Sequence, residues 1–230
     1  MISRRILKYY DDIRTFPTDA AEAWRAGGWR AVWDDLRGRT LDRIGNYARH
    51  YVIEMDLSQL AELTLPNGVE VGPYAGPDWQ VLGNVVGRRL AAQHAEAAAA
   101  GRLCIVAWKD GRAVGCTWLS NTIQMRYESY DLPLPPDAVY ILGTHVSPAE
   151  RRLGVAAALV GTVLRLARQQ GRNRAWTMVH PDNRGSLRTV VRVAPSRILG
   201  TVARIKLLSW MFNRFRPLDP PLALEAVTSS

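Results

Sequence analysis

The hydrophobic period of the chain changes once between Ala138 and Gly171, and that change limits the fold more than any other feature. Residues 138–146, Ala-Val-Tyr-Ile-Leu-Gly-Thr-His-Val, read as a strong strand. From Val155 the apolar positions Val155, Leu159, Val163 and Leu166 recur at helical spacing up to Gly171, a helix stop. Between them stands Val146-Ser-Pro148-Ala-Glu-Arg151-Arg152-Leu153-Gly154-Val155-Ala156, a turn that hands a strand directly to a helix. The first helical N–H groups lack partners and the helix dipole adds roughly half a positive charge, so such a junction is a receptor for an anion. Gly154 and Ala156 leave room for a bulky diphosphate, and Arg151 and Arg152 can add charge-assisted hydrogen bonds. No Gly-Lys-Ser/Thr follows, so this is not a Walker loop, and it is not GxGxxG.

The other elements are predicted around this junction. Val69–Tyr74 reads as a strand, Pro77-Asp78 as a helix start, and an Ala-rich helix runs on to Gly101. Residues 103–108 and 113–119 flank Asp110-Gly111, the pair that supplies the positive φ of a tight hairpin. A Pro-rich link at 130–136 leads to the strand at 138. Further on come a strand at 174–179, a short helix from about Asn183, and apolar basic sequence from Ile198 to Phe215. The order implies an α+β domain with one central sheet. From Asp19 to about Leu60 the chain reads as helix with Trp24, Trp29 and Trp33 as packing anchors, although residues 51–57 could also be a short strand. The expected division is therefore an N-terminal helical extension over 1–60 and a main domain over 61–230.

Charge narrows the partners. The chain of 230 residues has a net charge of +9, and residues 147–216 alone hold 14 Lys and Arg against Glu150 and Asp182. The basic excess is one block, which asks for a phosphate-bearing molecule, a nucleic acid or an anionic membrane. No early apolar stretch suits a secretory signal, and no run approaches the ~20 apolar residues of a bilayer span. Cys104 and Cys116 form no CxxC or Cys/His cluster, so neither a metal site nor a disulfide framework is encoded. A hairpin turning at Asp110-Gly111 sets Cys104 opposite Thr117 and Cys116 opposite Ile105, off register. Free thiols in a cytoplasmic protein, peripheral to a membrane if the surplus charge is used there, are the expectation.

The junction resembles the signature of the GNAT superfamily of N-acetyltransferases, Val-x-Pro-x-x-Arg-x-x-Gly-x-Gly/Ala, at Val146, Pro148, Arg151, Gly154 and Ala156. The resemblance extends in element order over about residues 69–210 and includes Asn183-Arg-Gly-Ser186. It implies a GNAT-like central mixed, mostly antiparallel sheet flanked by helices, and transfer of an acyl group from acetyl-CoA or another acyl-CoA to a primary amine of a small molecule or peptide. It carries the cofactor contacts over to His145, Val146, Arg151, Arg152, Leu153, Gly154, Val155, Ala156, Asn183 and Ser186. The pantetheine arm would run between splayed strands at 139–146 and 175–180.

Amide formation needs a deprotonated amine, a polarised thioester and a protonated leaving thiolate. Backbone N–H groups near 143–145 can polarise the carbonyl. The candidate bases are His145, His180 and Glu128. With unbroken alternation His145 points away from the face of Val146, Thr144, Leu142 and Tyr140; a bulge would redirect it. The family's usual tyrosine acid falls at Val190, which leaves Ser186 or solvent to protonate the thiolate. The competing reading is a catalytically silent module on the same fold that binds acyl-CoA, nucleic acid or a membrane. Its nucleic-acid form is disfavoured because coenzyme A accounts for part of the charge. Arg188, Arg192, Arg197, Arg204, Lys206, Arg214 and Arg216 exceed one cofactor's needs and point to an anionic or membrane-associated acceptor.

Overall fold

The computed structural model describes residues 24, 28–29, 45–123, 132–207 and 210–228, excepting the side chains of 45–47, 88–93, 204–213 and 226–227. Residues 49–202 with 214–230 make one compact unit, and 1–48 with 203–213 another.

Eight strands form one sheet in the order β2-β3-β4-β5-β6-β1-β7-β8. They are β1 (Gly45–Asp56), β2 (Val69–Tyr74), β3 (Leu103–Lys109), β4 (Arg112–Ser120), β5 (Ala138–Val146), β6 (Arg174–Val179), β7 (Ser196–Leu207) and β8 (Trp210–Ala223). Three longer helices are α1 (Arg88–Ala99), α2 (Val155–Gln169) and α3 (Arg184–Val193). Pairings β1–β6, β2–β3, β3–β4 and β4–β5 are antiparallel, whereas β5 and β6, joined through α2, run parallel. A parallel pair needs such a crossover, and α2 supplies it.

The sheet is apolar on both faces. On one face Ile53, Met55, Ile105, Val139 and Ile141 pack with Val155, Leu159, Val163 and Leu164 of α2 and with Leu187 and Val190 of α3. On the other, Val52, Val106, Cys116, Trp118, Tyr140 and Trp176 lie against Leu82 and the partly buried Val85, Ala97 and Ala98. Each fully buried Leu, Ile or Val contributes roughly 1.5–3 kcal/mol, so two-sided cover makes the central strands the most strongly held part of the unit.

The strand at 45–56 bears out the short strand considered for 51–57 and corrects the helical reading of the residues just before it. It pairs with β6 from Tyr51↔Val179 to Asp56↔Arg174. The alternation of buried partners on both faces won over a weak helical pattern. Trp24 and Trp29, expected as packing anchors, are 58% and 67% exposed, and Trp33 lies outside the described residues. The Ala-rich helix is also interrupted. Asp78 caps a short turn at Trp79–Leu82 by accepting from Gln80 N at 2.9 Å, and Gly87, at φ +81°, separates the turn Gly83–Val86 from α1.

The hairpin turns where predicted, with Asp110 and Gly111 at φ +50° and +71°. Its register differs, because a bulge at Ala107/Trp108 sets Cys104 opposite Trp118 and Cys116 opposite Val106. Both thiols are free and buried on one face. Burial raises the Cys104 pKa and pushes Cys116 up to about 12, which keeps both unreactive at neutral pH.

One buried charge ties the strands together. Glu54 of β1 is 6% exposed and accepts from Trp176 Nε1 at 2.9 Å, Arg174 Nη1 at 3.4 Å, and Arg197 Nε at 2.9 Å. Arg197, counted from the sequence among the surplus cations, is therefore partly used inside the fold.

Candidate functional site

The two parallel strands do not stay together. Their pairing runs from Ala138↔Arg174 to Ile141↔Thr177, and no pair is formed beyond it, although β5 continues to Val146 and β6 to Val179. Thr177 closes the joined part by donating from Oγ1 to the Ile141 carbonyl at 3.1 Å. Past that point the N–H and C=O groups of β5 that face β6 lack a ladder partner, which opens a polar-edged slot between two strands.

A bulge shapes the β5 lip. Leu142 lies opposite Trp118 and His145 opposite Cys116, so Gly143 and Thr144 together face Thr117. Gly143 takes φ +60°, a conformation that costs glycine nothing. The extra residue breaks the alternation. Thr144 shares a hydrogen bond with Thr117 Oγ1 at 2.8 Å, and Val146 packs on the α2 face. His145 turns instead to the face of Leu142 and Tyr140, where its Nε2 lies 3.8 Å and Trp118 Cδ1 3.6 Å from the point a Gly143 Cβ would occupy. Unbroken alternation would have kept His145 off that face.

The neighbours of His145 fix its protonation. Burial among them lowers its pKa first, and the charge of Arg151 lowers it further, even though the ring reaches solvent. Across Trp118 stands His94 of α1, whose ring meets the indole edge to face with centroids 5.2 Å apart. Burial, then the charge of His145, lowers the His94 pKa to about 4, and its buried Nδ1 finds no hydrogen-bond partner among the described residues. His94 was missed in the sequence, where a lone histidine in an Ala-rich helix carries no signal.

On the opposite lip, His180 follows β6 in phase with Trp176 and Met178. Its Nδ1 accepts from Asp182 N at 3.2 Å, and its ring lies edge to face with His50 at 5.8 Å. Because β5 and β6 are parallel, His145 and His180 stand at the same end of the slot. Asn183 caps α3, its Oδ1 accepting from Ser186 N at 3.1 Å. Glu128 lies outside the described residues. Val190 is 5% exposed and packs in the core, so its side chain does not reach solvent.

The turn after β5 leads to the amino end of α2. Pro148–Glu150 is a single helical turn anchored by Lys109 Nζ, which donates to Glu150 at 3.0 and 3.1 Å. Arg151 Nε donates back to the Val146 carbonyl at 3.3 Å. Arg152 and Gly154 take φ +67° and +90°, and Gly154 stands at the N-cap of α2 without any side-chain cap. The first amides of a 15-residue helix are thus left for an outside acceptor, beside two exposed arginines and the exposed Leu153. A diphosphate fits this arrangement by charge and by donor type. No group of three or more His, Cys, Asp or Glu that could hold a metal occurs among the described residues, and none of their helices is long and apolar enough to cross a membrane.

A mixed sheet that splits between a parallel pair, with an uncapped helix amino end beside the split, is the architecture of the GNAT acetyltransferases. Residues 74–192 match the acetyltransferase (GNAT) family, just over half of the chain, and the chain belongs to that family. Among solved structures it is similar to a glucosamine N-acetyltransferase region of a fungal multi-domain beta-N-acetylglucosaminidase, at 14% identity and a TM-score of 0.51, over 76% of this chain and 22% of that one. It is also similar to a Drosophila protein, at 12% identity and a TM-score of 0.52, over 76% of this chain and 57% of that one. At such identities the likeness is one of fold, and the chain spans well under two thirds of either structure. No curated protein matches it in sequence.

Proposed function

We propose that the protein is an acyl-CoA-dependent N-acyltransferase, most simply an N-acetyltransferase, acting on a primary amine of a small molecule or peptide. The observation that carries this reading is the slot between β5 and β6 with the uncapped amino end of α2 beside it. In this reading the diphosphate of the substrate lies on the amides of residues 151–156, helped by Arg151 and Arg152. The pantetheine arm enters the slot, where an unpaired N–H of β5 near 143–145 polarises the thioester carbonyl. His145, neutral and at the lip, accepts the proton of the attacking ammonium directly or through one water. The nitrogen lone pair adds to the carbonyl, the C–S bond breaks, and the second nitrogen proton passes to the leaving thiolate, relayed by the Ser186 hydroxyl or by solvent.

His180 is the second candidate base. Its place on the other lip supports it, while the backbone bond from Asp182 N occupies the Nδ1 lone pair and leaves Nε2 as the N–H of the neutral ring, so that bond must break before His180 can accept a proton. A silent acyl-CoA-binding module is the competing reading, favoured by the burial of Val190 where the family carries its tyrosine. Isothermal titration with acetyl-CoA and longer acyl-CoAs tests the cofactor half; a flat titration at millimolar ligand would sink it. Thiol release over an amine panel, comparing the wild type with His145→Gln and His180→Gln, tests the chemistry. Loss of at least about tenfold in the His145 variant is expected, and absence of turnover with every amine would leave the silent module.

A further inference from the structure

The two halves of the site share one cation. Arg151 belongs to the turn that faces the diphosphate in the reading above, on which this inference rests. The same side chain is bonded through Nε to the Val146 carbonyl, one residue from His145, and its charge opposes protonation of that imidazole. The bulge at Gly143 is what turns His145 onto the face of Trp118.

We propose that Arg151 couples the two halves: a diphosphate on its guanidinium cancels the positive charge beside His145 and makes that imidazole a stronger proton acceptor only once the acyl donor is in place. Without the donor, His145 is a weak base and holds no proton at neutral pH. With it, the basicity of His145 climbs toward the ordinary imidazole value, closer to the operating pH where a general base works best. Among the described residues, the other titratable groups around His145 do not supply this link. His94 of α1 stays neutral behind Trp118, Cys116 opposite on β4 is a buried thiol, and His180 lies across the slot, just after β6. Arg152 follows Arg151 in the chain, but it makes no bond to β5 among the described residues.

Linkage makes the coupling measurable, because a ligand that raises the basicity of His145 must bind together with a proton at mildly acid pH. The probe is 3′-dephosphocoenzyme A, which lacks the phosphate monoester whose own second proton leaves near pH ~6. Its titration at pH ~6 is run in two buffers of different ionisation heat. The wild type should take up on the order of half a proton if the pKa of His145 rises by one unit, and His145→Gln should bind with no uptake. In ligand-free Arg151→Gln, the His145 imidazole proton resonance should titrate at higher pH than in the wild type. Equal heats in both buffers for the wild type, uptake that persists in His145→Gln, or a His145 titration unmoved in Arg151→Gln would each overturn the coupling while leaving the cofactor site intact. A titration without any binding heat would instead overturn the cofactor reading and the coupling with it.

Discussion

Gly154 offers the sharpest separation of charge from shape. It stands at the N-cap of α2 with φ +90° and ψ −2°, and a Cβ placed on it would meet only Pro66 Cγ at 3.7 Å, an ordinary contact. Space is therefore available for a small side chain, and the penalty is the left-handed backbone, about 1–2 kcal/mol for most residues and less for Asn and Asp. Gly154→Asn and Gly154→Asp share that penalty and nearly the same shape, so they differ by one charge. A carboxylate about 5 Å from a diphosphate oxygen, at an effective dielectric of about 20, repels it by roughly 3 kcal/mol, which is more than a hundredfold in affinity. In the ligand-free protein the sign reverses, since an anion at a helix amino end is favourable by about 0.3–1 kcal/mol. Titration with acetyl-CoA at fixed ionic strength should give a modest loss for Asn and a loss of about a hundredfold more for Asp, while denaturant melts show the Asp variant at least as stable as the Asn variant. Equal affinities of the two variants would mean that no phosphate approaches this amino end, and the placement of the cofactor would be wrong.

Two further outcomes test the scaffold. Glu54→Ala leaves the buried Trp176 N–H without an acceptor and removes one partner from the solvent-reached Arg197 and from Arg174, which keeps Asp137, and should cost about 1–3 kcal/mol in a denaturant melt at pH 7; a cost below about 0.5 kcal/mol would show that the cluster is held by water instead. His94 gives a pH dependence of definite sign. Its folded-state pKa of about 4 lies below the ordinary 6.5, so the unfolded chain takes the proton first as pH falls. The stability present above pH ~6.5 is lost as pH drops toward ~4, by about 1 kcal/mol between pH 7 and pH 5 once solvent screening of the half-buried ring is allowed for. The wild type minus His94→Phe difference in unfolding free energy should show that slope, and parallel pH profiles for the two proteins would refute it.

How much of this was legible beforehand can be judged from particular residues. The strands 138–146 and 174–179 are legible to the residue because an apolar run bounded by Pro, Gly or Asn has few other solutions, and the edge strand 69–74 because Val69 and Val71 alternate with the exposed Glu70. The Asp110-Gly111 turn and the start of α2 followed from backbone conformations that few residues adopt. The register inside the hairpin was not legible, because a bulge is a compromise among strands and leaves no mark on either strand's own sequence. Residues 45–50 were misread as helix, and 51–57 were left open between helix and strand, for a related reason: the partner β6 lies more than a hundred residues away.

The sequence by itself determined the turn that hands β5 to α2, since Pro148 and Gly154 act through local backbone geometry. Only the tertiary structure decided which way His145 faces, that β5 and β6 part after Ile141 and Thr177, and that burial and Arg151 set the environment of the imidazole. Those features depend on where a bulge falls and on which distant helix packs over Trp118. Such non-local packing choices lie beyond what hydrophobic period or residue spacing can encode.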